Sequence, residues 1–391
     1  MSDKRNVIVV GAGGIGRAVG LILANYKELN VQVFLGDVKE SVAQDAANWV
    51  HEGLGREGVA TPFVMPYEGT NEEMTAIFEK GEVVLDCLPG SQAPRIAKMA
   101  REHHLHYANL TEYVAETDMV VDIAQDADTG FVVQTGLAPG FINVLGNHLF
   151  QTFCKDNGVD QVDKLSMKVG ALTRHAVSPH FYGFTWSPIG VATEYVEDAI
   201  AVRNYKTIKV PALSERQTII IDNITYEDNL TSGGAADLPQ ALEGKVKDLD
   251  YKTLRYPGHY GWVSKVLSSI PVGEDTIEKL QETMLNDIPS VEDDVVIVYA
   301  CVKGKDKDGV LRAVEKSYTV QPMKIGNQTL RAIQSTTAAP LAEAAVMLLS
   351  GKHKGVVFQS DIDPLPFLNG PIVSAVYGKF AEVEEREAVN S

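Results

Sequence analysis

Three observations in the 391-residue chain predict an α/β protein, in which a doubly wound parallel sheet is followed by an α+β domain with a mostly antiparallel sheet. The first 140 or so residues alternate short β-branched runs with amphipathic stretches of helical length, the pattern of parallel strands joined by crossover helices. A glycine-rich turn follows the first of these runs. Beyond TGLAPGFINVLGNHLF the alternation stops and longer strand-like segments take over. Single domains run about 100–200 residues, so two are expected. The pattern divides the chain into residues 1–141, residues 142–333 and a helical C-terminal segment, 334–391, that returns to the first domain.

NVIVVGAG, VQVFLGD, ATPFVMP, EVVLDCLPG, HYANL and GFVVQTG read in order as strands, with helical segments such as IGRAVGLILANYK and SQAPRIAKMAREHH between them. Ligands of such sheets bind beyond the carboxyl ends of the strands, so the turns there carry the function. The first turn reads Gly11-Ala12-Gly13-Gly14-Ile15-Gly16. Gly11 permits the tight turn, Gly13 lets a pyrophosphate approach the backbone, and Gly16 lets the helix pack on the strand. The amino end of that helix offers free N–H groups to the phosphates. The second run ends in Asp37, 21 residues after Gly16, where an acid accepts hydrogen bonds from the adenosine ribose.

These features predict a dinucleotide-binding Rossmann domain whose contacts include Gly14 and Ile15 in the first turn, and Asp37 with Val38 at the second. A carboxylate at position 37 repels a 2′-phosphate, so NAD is preferred, while Lys39 nearby leaves NADP possible. The CLPGS turn, with Leu88, Pro89 and Gly90, and the pair Asn109–Leu110 after the fifth strand complete the expected cofactor edge. Cys87 has no local charge partner to lower its pKa and reads as a buried thiol.

In the second part KLSMKVGAL, QTIIIDNITYEDNL and VVIVYACVKGKDKDGVLRAVEKSYTV read as strands, the last folding about KDKDG as a hairpin. TGLAPG reads as a hinge beside an interdomain cleft, the default binding site. TSGGAADLP reads as a loop, STTAAPLAEAAVMLLSG as a buried helix, and AEVEEREAVNS as a solvated tail.

The formal net charge of −17 argues against nucleic-acid and anionic-membrane partners, which are bound through clustered Lys and Arg. Cys87, Cys154 and Cys301 are widely spaced and form no CxxC, so neither a disulfide framework nor a metal site is expected. The apolar run at the amino terminus is shorter than a signal-peptide core, and no stretch of about 18 uncharged apolar residues occurs. A cytoplasmic protein acting on a small molecule is the expectation.

Several phrases then line up. VIVVGAGGIGRAVG, CLPG, TGLAPGFINVLG, FTWSPIGVATEY, TSGGAADLP and DYKTLRYPGH, in that order, resemble the saccharopine dehydrogenase-like family, and most closely its lysine 6-dehydrogenase branch. The resemblance implies a Rossmann domain, a substrate domain whose open sheet makes a homodimer or higher homo-oligomer, and oxidation of an amine or reduction of an imine with a nicotinamide cofactor. For the lysine branch, hydride leaves the carbon bearing the terminal amino group of L-lysine, and the imine is hydrolysed to a semialdehyde that cyclises. Saccharopine is the alternative substrate; a nucleotide-binding regulator without catalysis is the alternative of another class.

Amino-acid substrates carry a carboxylate, and Arg255 in TLRYPGH offers a planar fork of donors matched to two oxygens. Arg174 is the other candidate. His259 is the expected proton carrier, because an ordinary pKa of about 6.5 suits proton transfer near neutrality; His175 and His180 in TRHAVSPHFYGFTW compete for that role. Two departures stand out. Ile189 occupies the position after TWSP where the family commonly has an arginine, and Asn109 stands where relatives often have aspartate.

Overall fold

The computed structural model describes residues 4–112 and 114–380; the acidic tail, 381–391, lies outside the described residues. Strands β1 (Arg5–Val10), β2 (Val31–Asp37), β3 (Ala60–Val64), β4 (Val83–Asp86), β5 (His106–Asn109) and β6 (Gly130–Val132) fall on the six runs expected. All pair in parallel, in the order β6-β5-β4-β1-β2-β3. The strand order reverses beside β1, which opens a crevice at its carboxyl end. Val7 and Val9 of β1 join one core cluster with Leu21 and Val50, and Ile8 and Val10 join another with Phe78 and Ile96. Burial on both faces explains why these strands read as continuous apolar runs. The segment after residue 334, expected as helical, also contributes a strand: Gly355–Val357 pairs in parallel with β6. Three residues are too few to show a period.

The second sheet comprises β7 (Val162–Thr173), β8 (Ala199–Arg203), β9 (Lys206–Val210), β10 (Gln217–Ile221), β11 (Ile224–Leu230), β12 (Val246–Arg255), β13 (Asp294–Lys305) and β14 (Leu311–Val320). Its order is β10-β11-β12-β7-β13-β14, with β8 and β9 branching from β12. Pairing is antiparallel except between β7 and β12. One face packs on the helix Phe141–Asn157, whose Gly146 approaches so closely that a Cβ there would sit 2.8 Å from Met167 Sδ. Beyond the sheet end, the helices Pro188–Val196, His259–Ser269 and Thr276–Asp287 surround Tyr182, Phe184, Tyr195 and Tyr260.

TGLAPG, expected as a hinge, is a braced loop. The Gly136 N–H donates to Pro139 O at 2.8 Å, the Phe141 N–H donates to Gly136 O at 2.8 Å, and Gly140 at φ +130° leaves no room for a side chain. TSGGAADLP is likewise pinned, by Asn143 donating to Gly234 O at 3.1 Å and by Ser360 donating to Asp237. The helix Ala332–Leu348 lies against the helix Gly14–Asn25 and against β13. Asp294 of β13 caps it, accepting from Ala332 N–H at 2.7 Å and Ile333 N–H at 2.8 Å, which satisfies two of the amide groups a helix start leaves unpaired.

Candidate active site

The first turn has the form a dinucleotide needs. At Gly11, φ is +88° and a Cβ would meet the Cys87 carbonyl carbon at 2.8 Å; a Cβ at Gly16 would overlap Gly11 O. Around Gly13 nothing lies within 4 Å of the Cβ position, so the start of the helix Gly14–Asn25 faces a clear cradle that fits a pyrophosphate. Asp37 is fixed beside this loop, its Oδ2 accepting from Ala12 N–H and its Oδ1 from Lys39 N–H, both at 3.1 Å. Asp86 holds the CLPG turn by accepting from Leu88 N–H at 3.0 Å and from the Tyr107 hydroxyl at 2.9 Å; burial pushes its pKa up to about 6. Cys87 is a half-buried thiol that burial pushes well above the ordinary range.

A cavity of about 250 Å³ lies between the two sheets. Leu88, Gly90 and Leu110 form its side toward the first sheet, together with the Gly136–Pro139 loop. Val169 and Ala171 of β7, Tyr251, Thr253 and Arg255 of β12, and Trp186, Gly190 and Glu194 form the opposite side.

Arg255 is the buried cation of this cavity, 1% exposed. Its Nε–H donates to the Tyr195 hydroxyl at 2.7 Å and its Nη1–H to Leu254 O at 3.0 Å, and its guanidinium lies 4.6 Å over the Tyr182 ring. Behind it, Tyr195 Oη lies 3.0 Å from His259 Nε2, and His259 Nδ1 lies 2.6 Å from His180 O. A carbonyl only accepts, so Nδ1 carries the proton, Nε2 accepts from the Tyr195 O–H, and the tyrosine oxygen is left to accept from Arg255. Burial, reinforced by the Arg255 charge, lowers the His259 pKa to about 3, so the ring is neutral. Burial works against the guanidinium charge too, but Tyr195, Tyr182, Tyr260 and Glu194 hold Arg255 firmly protonated.

Two carboxyl groups share the cavity with this cation. Burial raises the pKa of Glu194, the neighbouring Glu112 raises it further, and Arg255 draws it back in part; burial also raises that of Glu112. One guanidinium and two carboxyls in one cavity suit a small ligand carrying both charge signs.

Residues 7–134 match the sequence profile of the saccharopine dehydrogenase NADP binding domain, and residues 136–375 that of the saccharopine dehydrogenase C-terminal domain. The chain belongs to the saccharopine dehydrogenase family. Mitochondrial alpha-aminoadipic semialdehyde synthase of Mus musculus is 25% identical over 215 residues, 54% of this chain and 22% of the relative. The Bos taurus protein of the same name is 21% identical over 305 residues, 72% of this chain and 30% of the relative. The chain therefore spans less than a third of these relatives' length. Apo saccharopine dehydrogenase (L-Glu forming) of Saccharomyces cerevisiae superposes with a TM-score of 0.72 at 14% identity, over 95% of this chain and 98% of that one. Homospermidine synthase of Legionella pneumophila, in complex with NAD, gives 0.66 at 12% identity, over 96% and 90%. At such identities the likeness is one of fold.

Within this saccharopine dehydrogenase fold the residues singled out from sequence separate clearly. Gly11, Gly13, Gly14, Ile15 and Gly16 lie in the first turn and Asp37 beside it, with Val38 exposed; Leu88, Gly90 and Leu110 face the cavity, and Pro89 starts the turn that carries Gly90. Asn109 is buried and accepts from Gln134 N–H at 2.8 Å, tying β5 to β6 instead of facing the cavity. Arg255 lines the cavity, whereas Arg174 and His175 lie at the surface, where both pair with Asp293, at 3.6 and 3.0 Å. His180 is buried, its ring Nδ1 accepting from Tyr182 N–H at 3.4 Å. None of the three histidines lines the cavity; His259 in particular is occupied at both ring nitrogens. Ile189 lines a neighbouring groove and not the cavity. Sequence reasoning missed Glu112, Glu194 and Tyr195. The one available signal was Glu194 itself, a lone acid in the otherwise apolar helix PIGVATEYV.

Proposed function

We propose that this family member oxidises the terminal amino group of L-lysine, using NAD in preference to NADP, to an imine that water converts into a semialdehyde, which then cyclises. The charge pattern of the cavity supports the reading. L-Lysine carries one carboxylate and two ammonium groups; the cavity offers one guanidinium and two carboxyls, Arg255, Glu112 and Glu194. Saccharopine carries three carboxylates, and Arg255 is the only cationic side chain among the described residues that line the cavity. Asp37, fixed beside the first turn, supports NAD through repulsion of a 2′-phosphate.

In this reading Arg255 clamps the carboxylate, and the Tyr195–His259–His180 chain keeps the guanidinium aimed without exchanging protons. The first turn and Asp37 would hold the dinucleotide, and Leu88, Gly90 and Leu110 the nicotinamide end. The bound nicotinamide supplies a hydride acceptor. Val169, Ala171 and Leu137 give the cavity apolar walls that limit water around the reacting carbon.

The test follows reduced-cofactor absorbance at alkaline pH, with NAD or NADP, against L-lysine, other diamino acids, saccharopine and polyamines. Turnover of lysine with NAD is expected. Turnover of saccharopine alone would refute the substrate assignment, and NADH binding without turnover of any amine would return the protein to the non-catalytic regulator.

A further inference from the structure

Neither acid of the cavity is engaged by the relay behind Arg255. Glu194 is 6% exposed, and its Oε2 has no hydrogen-bond partner among the described residues. It projects from the helix Pro188–Val196 one turn beyond Gly190, on the same face. Glu112 comes from the other domain, shortly after β5; the Trp186 ring fills the space in front of Gly190, and Glu112 Oε1 lies beside it, 3.4 Å from where a Cβ at Gly190 would stand. Its own Cβ would be 3.2 Å from a Cβ at Gly233, a residue at φ +84°. Gly233 thus makes room for Glu112, whose carboxyl reaches Gly190, one turn from Glu194.

Glu112 also has a second exposure. It lines the cavity and also a neighbouring groove of about 1060 Å³, and it is more exposed than Glu194. That groove carries Glu116, Asp118, Glu197, Asp198, Asp237 and Glu278, against Lys209 as the one cation among the described residues that line it. Glu194 lines the cavity alone. The two acids therefore stand in series, one at the interior and one at the boundary with solvent. The charged and titratable groups that face them are Arg255, Tyr182, Tyr195, Tyr251 and Tyr260. Each tyrosine is held neutral by burial, so the carboxyls are the groups able to take up a proton near neutrality.

We propose that Glu194 is the base that deprotonates the substrate's ammonium group and that Glu112 relays the proton into the acidic groove. This rests on the reading of the substrate as an amine. The ammonium R–NH3+ and the Glu194 carboxylate become R–NH2 and a carboxylic acid, with one proton moved and no electrons exchanged. The freed nitrogen lone pair then forms the C=N bond as the adjoining carbon loses its hydride to the oxidised nicotinamide of the proposed reaction. The proton passes from Glu194 to the Glu112 carboxylate and from there to groove water, which returns Glu194 to its basic form. The acidic groove favours the departing proton by its negative potential.

The conservative variants Glu194→Gln and Glu112→Gln test this in the full chain. Glu194→Gln should lower kcat about 10²–10⁴-fold, the range for loss of a general base, and flatten the acid limb of the kcat–pH profile. Glu112→Gln should lower kcat less and keep that limb. Calorimetry of L-lysine binding without cofactor, in two buffers of different ionisation heat, gives a readout independent of turnover. Wild type should release about one proton per lysine bound, because two interacting carboxyls in one cavity retain a shared proton that an arriving ammonium expels, and Glu194→Gln should release none. A Glu194→Gln enzyme with raised KM but unchanged kcat and unchanged acid limb would overturn the relay, leaving Glu194 as a binding group only. An enzyme that turns over lysine while neither variant changes kcat overturns the relay alone; one that turns over no amine overturns the substrate reading with it.

Discussion

Replacing Arg255 with lysine separates the binding of the substrate carboxylate from everything else the cavity does. The side chain is 1% exposed, so its contacts are not weakened by solvent screening. Two of its three guanidinium nitrogens donate to Tyr195 and Leu254, at 2.7 and 3.0 Å, which leaves Nη2 and one N–H of Nη1 to engage a carboxylate as a fork. Lysine keeps the charge but supplies a point donor, so one of two parallel bonds to the carboxylate is lost. A hydrogen bond to a charged group contributes about 1.5–3 kcal/mol, which is roughly a 10- to 100-fold increase in KM for L-lysine. The substrate 1,5-diaminopentane has the same chain without the carboxylate and has no such bond to lose. The assay is therefore the ratio of kcat/KM for lysine over diaminopentane, in wild type and Arg255→Lys, with NADH affinity and melting temperature as controls for folding. The ratio should fall about 10- to 100-fold. An unchanged ratio in a folded, cofactor-binding variant would refute the carboxylate role and reduce Arg255 to a structural cation.

His259→Gln should leave the acid limb of the kcat–pH profile in place, since a histidine with a pKa near 3 does not titrate where the enzyme works. The same variant should show a stability effect whose sign follows from that depression: the unfolded chain takes up the histidine proton first, so the stabilisation is complete above about pH 6.5 and is lost as pH falls toward 3. For this group alone the loss between pH 8 and pH 5 is about 2 kcal/mol, and melting curves should fall more steeply with acidification in wild type than in His259→Gln; parallel curves would contradict a buried neutral ring. Asp294→Ala should cost about 1–2 kcal/mol by uncapping the helix Ala332–Leu348, read as a lower denaturation midpoint with unchanged slope.

What was legible in the sequence follows from how locally each feature is encoded. The six parallel strands, the Gly11–Gly16 turn and the hairpin about Asp306–Gly309 each lie within one short segment, and each was placed from that segment alone. The strand Gly355–Val357 was not, because its pairing with β6 joins residues more than two hundred positions apart and its three residues carry no period. The parallel register of β7 with β12 was hidden for the same reason, since both strands alternate as antiparallel strands would.

The stretch DYKTLRYPGHYGW shows where residue type misleads about role. Its arginine and histidine are four positions apart, and read as a line they suggest a carboxylate clamp beside a base. In the fold the arginine ends β12, Gly258 at φ +103° turns the chain, and His259 opens a helix none of whose residues lines the cavity. The two side chains are joined by hydrogen bonds through Tyr195, sixty residues earlier than Arg255, whose hydroxyl spans them at 2.7 and 3.0 Å. Placed behind a tyrosine and beside a buried guanidinium, a histidine loses the basicity that made it attractive, because both desolvation and the neighbouring positive charge disfavour its protonated form. Desolvation acts in the opposite sense on Glu194, where burial, reinforced by the neighbouring Glu112 and opposed by Arg255, raises the pKa of an acid toward the range in which a base is useful. Burial thus exchanges the roles that the free side chains would play, and the group suited to accept a proton in this cavity is the carboxyl that an apolar helical pattern concealed.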